Sequence, residues 1–169
     1  VLVYHNILKY IREVKIMKKS ELLAPAGDMN CLISAARFGA DAVYIGGPLL
    51  QLRAEKSAFT ESEIDEAAKY LHSLDKKLYV TVNSFTKNAE IEPLKSYAKN
   101  LYSLGVDAVI VADLGALRAI KQAEPRLEVH ISTQANCCNY SSAMAYYELG
   151  ASRIVVAREM TIDEIAEMH

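Results

Sequence analysis

The sequence predicts an α/β fold, a TIM-type (β/α) barrel that is incomplete here, with about six βα units. Six short apolar runs alternate with helix-length segments, which is typical of parallel βαβ units. Three returns from helix to strand repeat one pattern, a glycine just past an amphipathic helix and then an apolar run: FGADAVYIGG, LGVDAVIVAD and LGASRIVVAR. This recurrence favours a repeated βα unit over isolated motifs.

The predicted elements follow one another along the whole chain. The strands lie in ELLAP, DAVYIGG, LYVTVN, DAVIVAD, EVHIST and SRIVVAR. The helices are expected at about 28–38, 60–74, 90–104, 114–123 and 140–149, with a sixth starting at Thr161. Two helix starts, FTESEI and MTIDEI, place Thr60 and Thr161 at the cap with a glutamate three residues later. Each of these starts therefore predicts a capping box with a hydrophobic staple.

The number of βα units decides how the domain is interpreted. An eight-stranded barrel usually needs about 250 residues, whereas this chain has 169 and its last predicted helix has barely begun at His169. We interpret residues 17–169 as the N-terminal part of a barrel domain with a natural start at Met17. Residues 1–16 are then an amphipathic extension, which a gene-calling artefact would explain. A Rossmann-type open sheet is the alternative, but no G-x-G-x-x-G follows the first strand.

Composition and charge narrow the function classes. The chain is 51% hydrophobic and 24% charged, with a formal net charge of −2 and a pI of about 6.1. Its longest basic run is Lys18-Lys19, so we expect neither avid non-specific RNA binding nor a membrane surface. Three cysteines without framework spacing favour free thiols and a cytoplasmic protein. No apolar stretch reaches the roughly 18 to 20 residues of a membrane span.

Strand parity separates the residues that face the helices from those that face the barrel interior. In LYVTVN, Asn83 belongs to the interior set. In EVHIST, the interior set is His130, Ser132 and, if the strand persists, Gln134. For His130, deep in its strand, a hydrogen-bonded interior histidine is favoured over a catalytic base.

Further polar residues are expected where the strands end. Tyr44, Asp113 and Arg158 lie at or near carboxyl ends of predicted strands, and Glu159 lies just beyond. The chemistry of barrels is found at this mouth, because its loops vary on a rigid frame. The alternative is that such residues meet solvent or cap the next helix.

The loop from Gly46 to Thr60 is long for a βα connection, and long ordered loops are usually binding segments or lids. Arg53 within it is a candidate clamp for a carboxylate or phosphate, with a solvated surface arginine as the alternative.

The cluster HISTQANCCN offers neither a protease triad nor a metal site. Ser132 and His130 share a strand face, but no nucleophile elbow or orienting acid accompanies them. Cys137 and Cys138 have no partner at metal-ligand spacing, so we interpret them as small residues of the loop and helix start.

Several motifs occur here in an order that resembles the collagenase-like proteases, peptidase family U32: ELLAPAGD, GADAVYIGG, YVTVNS, GVDAVIVAD, HISTQAN and ARE. The resemblance runs from about Ser20 to the end of the chain. It implies a TIM-type barrel, a traditional annotation of proteolysis, and more broadly hydroxylation of tRNA or ribosomal RNA, or in the ubiquinone pathway. It also implies an iron–sulfur cluster held by four cysteines beyond His169, so no cofactor is expected on this chain. Prephenate is implicated in the RNA-modifying branches.

The family's motif positions at the barrel mouth transfer to this chain by matching residues. They are Pro25, Gly27, Gly46, Gly47, Arg53, Asn83, Asp113, His130, Ser132, Gln134, Asn136, Arg158 and Glu159.

Three function hypotheses remain. The chain is the substrate pocket of an RNA-modifying or other hydroxylase, with a small carboxylate such as prephenate and RNA as partners. Alternatively it belongs to a peptidase that takes a peptide, or it is a binding module without catalysis. The exposed edge after the last strand also predicts association of copies of the chain.

Overall fold

The computed structural model describes residues 20–50 and 58–168, and in them each strand of a parallel sheet is followed by a helix. The strands are β1 (Leu23–Pro25), β2 (Ala42–Gly46), β3 (Lys77–Val82), β4 (Ala108–Val111), β5 (Glu128–Ile131) and β6 (Arg153–Ile154). The helices are α1 (Met29–Arg37), α2 (Glu61–His72), α3 (Ile91–Ser103), α4 (Leu114–Ala123), α5 (Tyr140–Glu148) and α6 (Ile162–Glu167). Short 3-10 turns cover Asn88–Glu90 and Thr133–Ala135. The proposed extension at 1–16 lies outside the described residues.

The strand order separates the barrel from its alternative. The sheet order is β1-β2-β3-β4-β5-β6, and every pair is parallel. A Rossmann sheet instead reverses direction in the middle, with the order 3-2-1-4-5-6. A sequential parallel order is that of a barrel wall, so the predicted βα repeat is confirmed.

A contact between the first and last strands shows that the sheet curls. In a flat sheet, five strand spacings would separate β1 from β6 by about 24 Å. Yet the Arg153 guanidinium donates to both carboxylate oxygens of Glu21, at 2.5 and 3.3 Å. One arginine and one glutamate cannot span a flat sheet, so the six strands form an incomplete barrel.

Most of the core lies between the convex face of the sheet and the helices. Strand residues such as Val43, Val80 and Val109 are fully buried there, together with Leu71 of α2 and Leu117 of α4. The predicted parity is therefore confirmed for β3. A smaller inner cluster lines the concave face and contains Ala42, Tyr79, Ala108 and Ile110, with Leu23 and Tyr44 packed against it.

Local capping explains where the helices start and stop. Thr60 and Thr161 accept from the backbone N–H of the glutamate three residues on, and each glutamate bonds back to its threonine, so both capping boxes are confirmed. Gly39, Gly105 and Gly150 have φ values of 102°, 83° and 100°, a left-handed conformation that costs glycine least.

The sixth strand is shorter than the sequence predicts, with two residues instead of a run to Ala157. Within the described residues, no helix is long and apolar enough to cross a membrane.

Candidate substrate-binding mouth

The carboxyl end of the curled sheet holds an inner cavity of about 400 Å³. Its lining comes from all six strands or the segments that follow them: Leu23, Tyr44, Thr81, Asn83, Ile110, Ser132, Thr133, Gln134, Val155 and Arg158. Apolar walls therefore alternate with neutral hydrogen-bonding groups. Of the described residues in this lining, Arg158 alone is charged.

An outer cavity of about 260 Å³ adjoins the inner one. It shares Thr133, Gln134 and Arg158 with the inner cavity and adds Asn136 and Glu159. Because three residues line both, the two form one continuous groove that runs from the barrel interior to the rim.

The third strand supplies two of the polar groups. The Thr81 hydroxyl donates to the Ile45 carbonyl at 3.1 Å, which ties it to the neighbouring strand. Asn83 follows β3, and its Oδ1 atom is buried without a hydrogen-bond partner among the described residues. The described residues therefore do not fix which end of this carboxamide faces the cavity.

A tight turn after the fifth strand shapes the floor of the groove. The Ser132 side chain accepts from the Gln134 backbone N–H at 3.4 Å and so caps the 3-10 turn at Thr133–Ala135. Asn136 ends this turn in the left-handed region, with φ 51°. Gln134 is reached through this turn and not through a longer strand, so strand parity does not explain its position.

Asp113 lies apart from the groove. Its carboxylate accepts from the Ala116 backbone N–H at 2.7 Å and caps α4, and its side chain lines neither cavity. The structure thus favours the alternative of helix capping for this residue.

His130 lies one layer below the cavity and is 2% exposed. Its Nε2 atom is 3.5 Å from a Glu128 carboxylate oxygen, but the geometry is not that of a hydrogen bond. The ring meets the Tyr79 ring edge-on, with centroids 4.7 Å apart. Burial, and then the charge of Arg153, lower the pKa of His130, while Glu128 opposes the shift. His130 is therefore an interior residue that does not line the cavity.

A polar cluster below His130 was not predicted from the sequence. Glu21 accepts from the Tyr79 hydroxyl at 3.0 Å as well as from Arg153. Hydrogen bonding to Arg153 lowers the pKa of the Glu21 carboxyl, and burial raises that of the Tyr79 hydroxyl. Tyr79 shares the strand parity of Asn83 and so faces inward, but no local signal pairs Glu21 with Arg153, 132 positions apart.

The glycines of the mouth serve different purposes. A Cβ on Gly47 would lie 2.0 Å from the Tyr97 hydroxyl, so any larger residue would force the Tyr97 side chain or the backbone to shift. Gly46 is buried at the end of β2, in register with Thr81. A Cβ on Gly27 would meet nothing within 4 Å.

Two further residues of the family motifs lie elsewhere. Pro25 ends β1 and is exposed. Arg53, in the loop after β2, lies outside the described residues.

The family model of Peptidase family U32 matches residues 27–169. The chain belongs to this family.

Curated relatives of this U32 chain include RNA-modifying proteins. It is 40% identical over 153 residues to a tRNA hydroxylation protein of Bacillus subtilis, which covers 90% of this chain and 36% of the relative. It is 38% identical over 149 residues to the 23S rRNA 5-hydroxycytidine synthase of Escherichia coli, with 88% and 22% covered. The U32 chain thus spans about a third or less of the length of these relatives.

A solved structure of the same family confirms the architecture. The structure of a U32 peptidase aligns with a TM-score of 0.69 at 19% identity, over 90% of this chain and 66% of the other. At this identity the match shows the fold alone.

The three cysteines of the U32 chain do not form a cluster-binding set. Cys31 on α1 and Cys138 in the loop before α5 are exposed, while Cys137 is buried. Among the described residues, no group of three or more His, Cys, Asp or Glu side chains is placed to hold a metal ion. A four-cysteine iron–sulfur cluster does not fit this portion.

Proposed function

We propose that this chain forms the substrate-binding mouth of an enzyme that hydroxylates a pyrimidine of tRNA or ribosomal RNA. The observation that carries the proposal is the groove itself, with neutral polar groups inside and one arginine at its junction, in a chain 40% identical to a tRNA hydroxylation protein. The activity belongs to a longer protein, of which this chain supplies the barrel mouth.

Each polar group of the groove has a role in the proposal. Arg158 holds a carboxylate or phosphate by paired hydrogen bonds, which its planar guanidinium favours. Asn83, Ser132 and Gln134 orient the ligand from the inner wall. A small carboxylate, prephenate by the resemblance of the motifs, is the proposed co-substrate. Arg53 is a further proposed contact to it.

RNA is the proposed macromolecular partner. With a formal net charge of −2, the chain does not itself supply the basic surface that phosphate contacts require. We therefore assign most of the RNA affinity to residues outside this chain. By the family resemblance, the iron–sulfur ligands are likewise assigned beyond His169.

A peptidase is the second candidate, and the family name favours it. Peptide hydrolysis needs an activated nucleophile or a metal-bound water. Ser132 instead caps a turn, and His130 faces Glu128 on the side away from the cavity. Among the described residues, neither pair nor metal group supports hydrolysis.

The deciding experiment deletes the whole gene and compares modified nucleosides from tRNA and ribosomal RNA by mass spectrometry. We expect loss of one hydroxylated pyrimidine, restored by the intact gene but not by Arg158→Ala. Arg118→Ala, an exposed change on α4, is the matched control and should restore the modification. Unchanged RNA together with metal-independent peptide cleavage by the pure protein would establish the peptidase instead.

A further inference from the structure

We propose that the groove consists of two subsites, an inner one that takes an uncharged pyrimidine base and an outer one, at Arg158, that takes an oxyanion. This inference rests on the proposed function and specifies where each part of its substrate is held. The dividing line is formed by Thr133, Gln134 and Arg158, which line both cavities.

The distribution of charge supports the division. Among the described residues, the inner lining has no ionisable side chain apart from Arg158 at the junction and the Tyr44 phenol. Moving an anion from water into a site without a facing cation is strongly unfavourable. An anion is therefore stabilised beside Arg158 at the junction and is opposed by the Glu159 carboxylate in the outer cavity, whereas the interior suits a neutral group.

The inner lining matches a flat ring with one polar edge. Leu23, Ile110 and Val155 give apolar surface for the faces of a ring. Asn83 and Ser132 add hydrogen-bonding groups to the same lining. The Ser132 oxygen accepts from the Gln134 backbone, which leaves its hydroxyl hydrogen available to donate.

The Asn83 carboxamide adds a donor and an acceptor. Its Oδ1 has no partner among the described residues, so either end can turn to the ligand. The Watson–Crick edge of uracil or cytosine likewise presents a donor beside an acceptor. An inner cavity of about 400 Å³ is also within the range that ligand sites show.

The location of the cavity constrains how the base arrives. A base inside an RNA helix cannot reach the interior of a barrel, so it must be single-stranded or be turned out of its stack. The sugar and phosphate then remain at the rim. There Asn136, Gln134 and Glu159 surround Arg158 in the outer cavity.

The oxyanion at Arg158 comes from one of two sources. It is either the phosphate of the bound nucleotide or a separate small carboxylate. Both use the same guanidinium, and ligands that carry one or the other distinguish them.

The test measures binding of free ligands to the protein by NMR titration. The ligands are uridine, 3-methyluridine, uridine 5′-monophosphate and malonate. We expect 3-methyluridine to bind about tenfold more weakly than uridine, because the methyl group blocks the polar edge of the ring. Asn83→Leu and Ser132→Ala should each weaken uridine binding to a similar degree. Thermal unfolding checks that both variants are folded.

Arg158→Gln tests the outer subsite. The affinity for uridine should stay within about twofold of the wild-type value. Uridine 5′-monophosphate should lose the roughly tenfold tighter binding that its phosphate gives it over uridine. If malonate binds beside uridine and loses its affinity in this variant, the anion is the separate carboxylate. Arg118→Gln is the matched control and should change none of these affinities.

Equal binding of uridine and 3-methyluridine, or displacement of uridine by malonate from the wild-type protein, would overturn the two-subsite inference. Neither result depends on catalysis. The proposed function fails separately, if deletion of the gene leaves every hydroxylated pyrimidine in place while the isolated protein still binds uridine.

Discussion

Arg153 at the start of β6 donates both ends of its guanidinium to Glu21, two residues before β1, across the interior of the curled sheet. Tyr79 of β3 donates to the same carboxylate, and the Arg153 guanidinium lies 5.7 Å from the centroid of the Tyr79 ring. Three strands are thus joined by one carboxylate. This cluster closes the amino-terminal end of the interior, opposite the candidate substrate-binding mouth.

Removing the Glu21 charge should reduce stability. We expect Glu21→Gln to lower the free energy of unfolding by about 1–3 kcal/mol, the usual cost of losing hydrogen bonds to a charged group. Urea unfolding at pH 7 measures the loss. Lys69→Ala breaks an exposed pair with Asp65 on α2 and should cost no more than about 0.5 kcal/mol.

The acid limb of stability should depend on the same carboxyl. Because the pKa of Glu21 is lowered in the folded state, its contribution is full above the unfolded value near 4.5 and is lost as the pH falls through the folded value. Glu21→Gln should therefore be less sensitive to acid between about pH 5 and 3 than the wild type. Parallel curves for the two proteins would contradict this.

His130 should make the protein less stable as the pH falls from neutral. Its pKa is lowered in the folded state by burial, so the unfolded chain binds the proton first. The contribution is full above the unfolded pKa, near 6.5, and is lost as the pH falls below it. Urea unfolding between about pH 7.5 and 5 should show this slope, which His130→Gln should flatten. Equal slopes for His130→Gln and the wild type would contradict this.

Gly47→Ala should destabilise the protein because the added Cβ atom clashes with a neighbouring side chain. The added Cβ would lie 2.0 Å from the Tyr97 hydroxyl, and overpacking of this kind costs about 1–3 kcal/mol. The Tyr97 hydroxyl is buried without a hydrogen-bond partner among the described residues, so Tyr97→Phe alone should be neutral or stabilising. The double variant should recover part of the loss, because Val80 and the Tyr97 ring still crowd the new methyl group. A double-mutant cycle without coupling would show that the clash is relieved elsewhere.

Asp113 should behave as a helix cap and not as a ligand-binding residue. We expect Asp113→Ala to cost about 1 kcal/mol and Asp113→Asn to cost little, because asparagine caps equally well. Both variants should bind uridine as the wild type does. A selective loss of uridine binding in a folded Asp113→Asn protein would return this residue to the substrate site.

The open edges of the sheet should promote self-association. Among the described strands, β1 and β6 each pair on one side only, and unpaired edges attract further strands. Analytical ultracentrifugation should show dimers or larger species that increase with concentration. Leu22→Lys, which adds charge beside β1 at an exposed position, should shift the balance toward monomer. A stable wild-type monomer at all concentrations would refute the prediction.

The sequence predicts those features whose signals are local. Alternating apolar runs, the three left-handed glycines and the two capping boxes each extend over fewer than about twelve residues, and all are found in the structure. Parity placed Asn83 and Ser132 at the cavity for the same reason. It fails beyond Ser132, where the chain enters the 3-10 turn at Thr133–Ala135.

The misplaced or missed features depend on distant contacts or on competing local rules. Asp113 satisfies both the strand-end pattern and the cap pattern, and the cap prevails because β4 ends two residues earlier, at Val111. The partnership of Glu21 with Arg153 has no local sign, since a hydrogen bond between residues 132 positions apart depends on the curvature of the whole sheet. Leu23 and Val155 were missed as lining residues because only that curvature brings them to one cavity.

The sequential strand order also has a kinetic consequence. Every strand pairs with the strand made just before it, so each βα unit can add to the preceding one while the chain is still being synthesised. The Glu21 carboxylate cannot pair with Arg153 until the sixth strand has been synthesised, more than a hundred residues later. Formation of this pair therefore coincides with the step at which a growing row of βα units curls and encloses an interior.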